Sequence, residues 1–217
     1  MAVSLYMESC LQKLVSYFDK AETRIKNQNI YNRLTAIGQP FVASDLRIAA
    51  KGLHKLKLSG LLDCSKLLCD AGSADGRIVA LATSCFGIPS LGIEYDPRLV
   101  NVARQNIGRL QAMGIIRKVP ASIIQGNFCR DHTYRNVHFQ EIATFYCFES
   151  NSYCLANKII KESPKGTLFV YCSQNSTTNF EGLKKLMTLS LESDSKKSYY
   201  IHALMKTHRG PFVPLQH

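Results

Sequence analysis

Apolar residues near the start of the chain recur at helical spacing. In residues 3–37 and 46–62 they stand three or four positions apart, with Lys, Arg and Asn between them, which predicts amphipathic helices. Residues 3–37 are predicted to form either two helices or one broken helix, and the segment 38–40, Gly-Gln-Pro, interrupts this pattern before the second helical region. Ser44 and Asp45 supply an N-cap for the second. Residues 1–62 are therefore predicted to be a helical extension.

From residue 63 onward, short apolar runs alternate with helical patterns. Strands are predicted at 67–70, 90–94, 121–125, 142–148 and 167–172, with helices at 75–85, 97–113 and 151–162 between them. Residues 183–191 are predicted to be a further helix and 198–206 a closing strand. Strands separated by helices form βαβ units, so residues 63–217 are predicted to be an α/β domain with a doubly wound, mostly parallel sheet. Its ligand crevice would lie at the carboxyl ends of the strands.

Length and composition narrow the class of protein. With 217 residues the chain is long enough for one substantial α/β domain. No apolar run approaches the roughly 18 residues of a membrane span, and the first 20 residues lack a signal-type cleavage pattern, so we expect a soluble protein. The 8 cysteines form no Cys-x-x-Cys pair and the 6 histidines show no ligand spacing. We expect reduced thiols, no metal, and a reducing compartment such as the cytoplasm, nucleus or an organelle matrix.

The charge balance is strongly basic. The formal net charge is +11, from 27 Lys and Arg against 16 Asp and Glu, which favours partners with negative charge. Nucleic acid, an acidic protein surface, or no specific partner at all are each compatible with this charge.

The clearest chemical signal is a pair of acids, each at the end of a predicted strand. Asp70 ends the first strand and precedes a small-residue turn, and Glu94 ends the next strand 24 positions later. A carboxylate at the second position accepts hydrogen bonds from vicinal ribose hydroxyls. The turn has Ala74 where a dinucleotide-binding loop has glycine, and Asp75 would repel a pyrophosphate. The carboxylate of Asp75 would instead suit a cofactor that carries a sulfonium and an α-amino group, because both groups are positively charged.

These motifs resemble the cofactor-binding core of class I S-adenosylmethionine-dependent methyltransferases, which have a seven-stranded sheet. The resemblance rests on Asp-x-Gly-Ser-x-Asp-Gly-Arg-Ile-Val at 70–79 and Gly-Ile-Glu-x-x-Pro-x-Leu-Val at 92–100. Within that superfamily the chain is most similar to small archaeal and mitochondrial protein-lysine methyltransferases and to the non-SET histone lysine methyltransferases. Pro-Phe-Val-Ala-Ser at 40–44, Gln-Gly-Asn-Phe at 125–128 and Ser-Pro-Lys-Gly at 163–166 extend the likeness.

The resemblance implies S-adenosyl-L-methionine as cofactor and a set of residues that bind it. Asn127 stands where an acid usually accepts from the adenine amino group, and Phe41 stands where the family has tyrosine. The amide oxygen of asparagine can still accept a hydrogen bond. The implied cofactor-binding residues are Asp70, Gly72, Ser73, Asp75, Gly76, Glu94, Tyr95, Asn127 and Phe128.

The end of the fourth predicted strand indicates the methyl acceptor. Residues 144–151, Thr-Phe-Tyr-Cys-Phe-Glu-Ser-Asn, lack the Asp/Asn-Pro-Pro-Tyr/Phe pattern of base-directed amino methyltransferases. An aromatic channel that ends in polar groups suits a lysine, because its aliphatic stem packs on rings and its nitrogen must be neutral to attack. We predict Tyr146, Glu149 and Asn151 as catalytic residues, with Tyr146 or Glu149 receiving the proton. Phe41, Phe145 and Phe148 are predicted to contact the substrate.

Other functions stay open from the sequence. An RNA methyltransferase would use the basic charge directly, with contacts from the N-terminal helices and residues 51–57. A catalytically silent relative would serve as a basic interaction module. The favoured partner is a protein substrate with an acidic surface, and the sequence leaves the oligomeric state undetermined.

Overall fold

The computed structural model describes residues 2–26, 42–149 and 152–208. The helices are α1 (Ala2–Lys26), α2 (Leu46–Leu58), α3 (Arg77–Phe86), α4 (Pro97–Ala112) and α5 (Ser152–Glu162). The strands are β1 (Leu67–Ala71), β2 (Ser90–Glu94), β3 (Ala121–Gln125), β4 (Ile142–Phe148), β5 (Leu168–Ser173), β6 (Leu183–Glu192) and β7 (Ser198–Lys206). Two short 3₁₀ turns, Asp131–Tyr134 and Phe139–Glu141, lie between β3 and β4.

The strands form one seven-stranded sheet in the order β3-β2-β1-β4-β5-β7-β6. Strands β1 to β5 pair in parallel, whereas β7 inserts antiparallel between β5 and β6. The chain order reverses between β1 and β4, and this switch point is where open α/β sheets bind their ligands. The predicted doubly wound, mostly parallel α/β sheet is confirmed.

The predicted helix at 183–191 is wrong, because these residues form β6. Side chains along β6 alternate between half-buried Met187, Leu189 and Leu191 and exposed positions between them, as in a strand with one face covered. The pairing register with β7 shifts between Lys185 and Met187. This irregularity adds a residue and breaks the period of two, so the apolar spacing in the sequence imitates a helix.

Helices cover both faces of the sheet. On one face α1, α2, α3 and α4 pack over side chains that include Leu68 and Tyr146. On the other face α5 packs over the neighbouring strand positions, which include Cys69 and Phe145. Because the predicted helical extension shares a core with the sheet, α1 and α2 are built into the same layer as α3. The boundary at residue 62 stays a prediction.

The start of α2 follows the predicted capping. The Asp45 carboxylate accepts hydrogen bonds from the backbone N–H groups of Arg47 (2.8 Å) and Ile48 (3.2 Å). The helix ends at Leu58, earlier than predicted, because Gly60 takes a left-handed conformation with φ 73°. The predicted interruption at residues 38–40 lies outside the described residues.

The cysteines depart from expectation at one pair. A disulfide joins Cys129, in the loop after β3, to Cys154 of α5, with their Cα atoms 6.0 Å apart. The prediction of reduced thiols is therefore wrong for this pair, which lies 25 positions apart and becomes adjacent only when α5 packs on the sheet. The other six cysteines are free thiols.

Two features are absent from residues 2–26, 42–149 and 152–208. No helix there combines the length and apolar character that crossing a membrane requires. Nor do three or more His, Cys, Asp or Glu side chains gather in this part of the chain as a metal site would need.

Substitution of Gly92 in β2 tests how tightly the loop after β1 packs against the sheet. A Cβ atom at Gly92 would lie 2.6 Å from Ser73 Oγ and 2.6 Å from Ile123 Cδ1, so we expect Gly92→Ala to reduce the free energy of unfolding by about 1–3 kcal/mol. The control is Gly108→Ala on the exposed face of α4, where a Cβ meets nothing within 4 Å. That change should stabilise the chain by about 0.5–1 kcal/mol through helix propensity. Urea unfolding of both variants measures the difference, and equal effects would contradict it.

Candidate functional site

The loop between β1 and α3 is bound to the neighbouring strand. The backbone N–H groups of Gly72 and Ser73 both donate to the Ile93 carbonyl oxygen, at 2.9 and 3.0 Å. Gly72 and Gly76 have φ of 88° and 82°, a left-handed conformation that glycine adopts without steric cost. Ala74 also has a positive φ of 48°. The small-residue turn therefore holds a fixed shape at the carboxyl ends of β1 and β2.

Asp70 and Glu94 lie at the tips of β1 and β2 and share this turn. Asp70 is 3% exposed and Glu94 is 8% exposed. Burial raises the pKa of Asp70 well above its usual range, and the nearby charges of Glu94 and Asp75 raise it further. Within the described part of the chain, no side chain or backbone group donates a hydrogen bond to the Asp70 carboxylate. Among these described residues the Asp70 charge therefore has no hydrogen-bond partner.

The Glu94 carboxylate bridges two loops. Its Oε2 accepts from the backbone N–H of Ala74 at 2.8 Å, and its Oε1 accepts from that of Asp96 at 2.8 Å. Burial raises the pKa of Glu94, whereas these backbone hydrogen bonds lower it. Each carboxylate oxygen can accept a second hydrogen bond, so the group is oriented to receive two adjacent hydroxyls.

Asp75 is placed differently from its neighbours in the turn. Its carboxylate forms an ion pair with Arg77, the first residue of α3, with Oδ2 2.6 Å from Nη2. Arg77 also lies over the Phe18 ring and 3.5 Å from the Glu22 carboxylate of α1. The structure thus uses Asp75 to attach α1 to the loop, and a role for Asp75 toward a cofactor cation stays a prediction.

The remaining predicted cofactor residues lie in the turn itself and directly after β2 and β3. Tyr95 is 50% exposed, so its ring lies at the rim. The Asn127 amide oxygen accepts from the backbone N–H of Cys129 at 2.9 Å, which closes a local turn, and it retains capacity for one more donor. Phe128 is buried, and its carbonyl accepts from the Tyr134 hydroxyl at 2.7 Å. The Ser73 hydroxyl is buried without a hydrogen-bond partner in the described part of the chain.

The predicted acceptor residues separate into two groups because neighbours along β4 face opposite sides of the sheet. Tyr146 lies on the α2 face beside Asp70, its register partner on β1, and Phe148 lies on the same face. Phe145 is fully buried in the opposite core, where its ring centroid is 4.9 Å from that of Phe139. Phe145 is therefore not brought to the cleft, and Phe41 and Asn151 lie outside the described residues.

Tyr146 and Glu149 differ in their access to solvent. The Tyr146 hydroxyl is fully buried beside Ser44, Cys172 and Asp70 but makes no well-formed hydrogen bond among the described residues. Burial raises the pKa of Tyr146 well above its usual range, so the phenol stays protonated. Glu149 is exposed, and its φ of 49° is unusual for a residue other than glycine. Such strain occurs often at functional sites.

Hydrogen bonds to the loop after β5 hold Glu149 in place. Its backbone N–H donates to the Cys172 carbonyl at 3.1 Å, and its Oε1 accepts from the backbone N–H of Gln174 at 2.6 Å. These bonds keep the side chain at the carboxyl end of β4.

Two residues that sequence reasoning missed complete this region. Burial raises the pKa of the Tyr199 hydroxyl, and the electrostatic influence of Asp45, Cys172 and Glu149 raises it further, so these three groups lie within electrostatic range of the hydroxyl. The Tyr199 ring centroid is 6.3 Å from that of Phe148. Asp45 was recognisable as a helix cap and Tyr199 as a strand residue, but nothing in their spacing linked them to Glu149. Two carboxylates and two aromatic rings therefore gather beside the β4 tip.

The unpartnered charge of Asp70 leads to a stability prediction. Because the pKa of Asp70 is higher in the folded chain than the value of about 3.9 in unfolded chains, folding loses stability as the pH rises through the folded pKa. We expect Asp70→Asn to raise the thermal midpoint of the chain without ligand, more at pH 8 than at pH 5. The control is Asp63→Asn, since hydrogen bonds from Ser65 lower the pKa of that exposed carboxylate. A lower midpoint for Asp70→Asn at pH 8 would contradict the prediction.

Comparison with known proteins yields matches at the level of structure alone. No family model and no curated protein sequence matches the chain. An RNA methyltransferase from Salinibacter ruber, solved with S-adenosyl-L-homocysteine, is similar with a TM-score of 0.56 and 22% identity over 81% of this chain and 98% of that chain. A point mutant of MtNAS, solved with S-adenosylmethionine, has a TM-score of 0.59 and 12% identity, over 95% of this chain and 78% of that chain.

A third similar structure is the rRNA methyltransferase aviRa from Streptomyces viridochromogenes. Its TM-score is 0.58 at 9% identity, over 76% of this chain and 86% of that chain. At such low sequence identities the structural likeness establishes the fold alone. The chain has the fold of class I S-adenosylmethionine-dependent methyltransferases.

Proposed function

We propose that this chain is an S-adenosylmethionine-dependent methyltransferase that transfers a methyl group to a lysine side chain of a protein. The observation that carries the proposal is the pair of buried carboxylates, Asp70 and Glu94, at neighbouring strand tips on one fixed turn. We also propose residues 63–217 as the cofactor-binding domain.

The residues of the cleft fit this cofactor. The buried Asp70 carboxylate has no donor on the described protein side, so a positively charged ligand would stabilise its ionised form. Glu94 is oriented by two backbone N–H groups and can accept from a ribose diol. The half-exposed Tyr95 ring can cover an adenine face. The buried Ser73 hydroxyl can form a hydrogen bond with the cofactor. When bound, the cofactor supplies an electrophilic methyl group on a sulfonium.

The residues beside the β4 tip fit a lysine acceptor. A lysine reaches the site as an ammonium, which the carboxylates of Asp45 and Glu149 attract. Its aliphatic stem can pack on the Phe148 and Tyr199 rings. In-line attack requires a neutral amine, so a proton must leave before the methyl group transfers.

Glu149 is the better proton acceptor of the two predicted residues. It is exposed, and the Gln174 N–H engages its Oε1, so Oε2 remains for the substrate nitrogen. The raised pKa of the buried Tyr146 keeps its phenol neutral, so it can orient neighbours as a donor but is a poor base. In this proposal Tyr146 is a positioning residue and Glu149 is the general base.

RNA is the second candidate acceptor. The net charge of +11 supports it, and two of the similar structures are RNA methyltransferases. The acidic groups beside the β4 tip weigh against it, because Asp45 and Glu149 would repel the phosphates next to a bound base. A catalytically silent interaction module is the third candidate.

Cofactor binding tests the two carboxylates. We expect Asp70→Asn and Glu94→Gln each to weaken S-adenosylmethionine binding by about 1–3 kcal/mol, because each loses a charge-assisted interaction. Isothermal titration calorimetry measures the affinity, with Asp63→Asn as a control that changes the same charge at an exposed site. Since Asp70→Asn is also expected to stabilise the chain, weaker binding in that variant cannot come from unfolding. Unchanged affinity in both cleft variants would refute the site.

A labelling experiment tests the acceptor. The full chain is incubated with methyl-labelled S-adenosylmethionine and a cell extract, which is then divided between protease and nuclease. Label that protease releases and nuclease leaves intact supports a protein acceptor, and the reverse result supports RNA. Glu149→Gln should lower the transfer rate about 100-fold or more at unchanged cofactor affinity, as expected for loss of a general base. Cofactor binding without any labelled polymer would point to the silent module.

A further inference from the structure

Helix α2 carries a row of exposed cations on one side. Arg47, Lys51 and Lys55 are exposed and stand four positions apart, so they lie above one another on the helix surface. We call these three residues the basic stripe. At a rise of about 1.5 Å per residue the stripe is about 12 Å long. The opposite side of α2, which includes Ile48 and Leu56, is buried in the core and fixes the direction of the stripe.

Among the described residues, most of the charge of the basic stripe has no ion-pair partner. The sequence of α2 contains no Asp or Glu, and the nearest ion pair joins Arg47 to Asp194 at 3.5 Å across two exposed side chains. In the described part of the chain Lys51 and Lys55 lie within ion-pair distance of no carboxylate. By contrast, the buried Lys158 pairs with both Asp131 and Glu162.

The basic stripe begins next to the proposed acceptor site. Glu149, directly after β4, donates its backbone N–H to Cys172 of β5, and β5 pairs with β7, which carries Tyr199. Asp45, which caps α2, lies within electrostatic range of Tyr199, and Arg47 is two positions further along. The charge on this side of the molecule therefore changes sign over a short distance. Two carboxylates, those of Glu149 and Asp45, lie on the side where β4 ends, and the cations of the basic stripe continue from Asp45 along the outside of α2.

We propose that the basic stripe binds an acidic segment of the protein substrate that lies next to the methylated lysine. The inference rests on the proposed function and adds the substrate's sequence character to it. A polypeptide with a lysine flanked by Asp or Glu matches both regions, because its ammonium faces Asp45 and Glu149 while its carboxylates face the stripe.

The same pattern disfavours a nucleic acid on this surface. A phosphate backbone that follows the stripe would end beside the carboxylates of Asp45 and Glu149. The sequence of α2 also contains no Phe, Tyr or Trp, the large rings of single-strand binding platforms. Charge of both signs along this surface favours an acidic peptide that carries a lysine.

Fluorescence anisotropy with a designed peptide tests the proposal. The labelled peptide contains one lysine followed by a run of glutamates, and its partner peptide has glutamine in place of every glutamate. The full chain is titrated as wild type, as Lys51→Gln/Lys55→Gln and as Lys161→Gln/Lys165→Gln. The last variant removes two exposed lysines, one in the last turn of α5 and one in the turn that follows it, so it changes the net charge equally.

We expect the stripe variant to bind the glutamate peptide about five- to tenfold more weakly, and the control variant to bind it as the wild type does. The glutamine peptide should bind weakly to all three proteins. Equal weakening in both variants, or no weakening in either, would overturn the proposal. So would displacement of the peptide by a uridine homopolymer that binds more tightly through the same lysines, which would assign the stripe to nucleic acid.

Binding and transfer together separate the two proposals. Anisotropy requires no methyl transfer, so a peptide that binds through Lys51 and Lys55 supports the stripe even where the extract experiment labels no protein and refutes the proposed function. If the peptide is methylated, the stripe variant should raise KM for the glutamate peptide at unchanged kcat. An unchanged KM would count against the stripe while leaving the methyltransferase in place.

Discussion

The candidate site depends on the attachment of the β1–α3 loop to β2. Two backbone N–H groups of the loop share the Ile93 carbonyl, and a third, from Ala74, donates to the Glu94 carboxylate. Gly92 makes this approach possible, because a side chain there would overlap Ser73. The attachment gives the loop one conformation and brings Asp70 and Glu94 to the same cleft. Preorganisation of this kind lets a ligand bind without ordering the loop first.

The attachment also has an energetic cost for the unliganded chain. Asp70 is buried near two other carboxylates, and its raised pKa shows that its ionised form is disfavoured there. A residue that weakens the fold but suits a cationic ligand is typical of a binding site, where stability and function conflict. The ion pair between Asp75 and Arg77 has a structural role instead, since Arg77 also contacts α1. Two acids in one turn thus have different tasks.

Local patterns explain why most of the fold could be predicted. Strands β1 to β5 are short apolar runs between amphipathic helices, and their predicted bounds agree with the structure to within a residue or two. β6 was mistaken for a helix, because the irregular pairing between Lys185 and Met187 disturbs its alternation and β7 alone supplies its pairing partner among the described strands. Neither influence can be recognised within a window of ten residues.

The sequence by itself determined the α/β class, the glycine turn and the acids at the two strand ends, because each depends on neighbours within about one βαβ unit. Only the tertiary structure decided that Tyr146 and Phe145 face opposite cores, and that Cys129 meets Cys154. The cluster of Asp45, Glu149 and Tyr199 likewise needs α2, β4 and β7 to converge. Strand order and helix packing bring these distant segments together, and neither is encoded in local spacing.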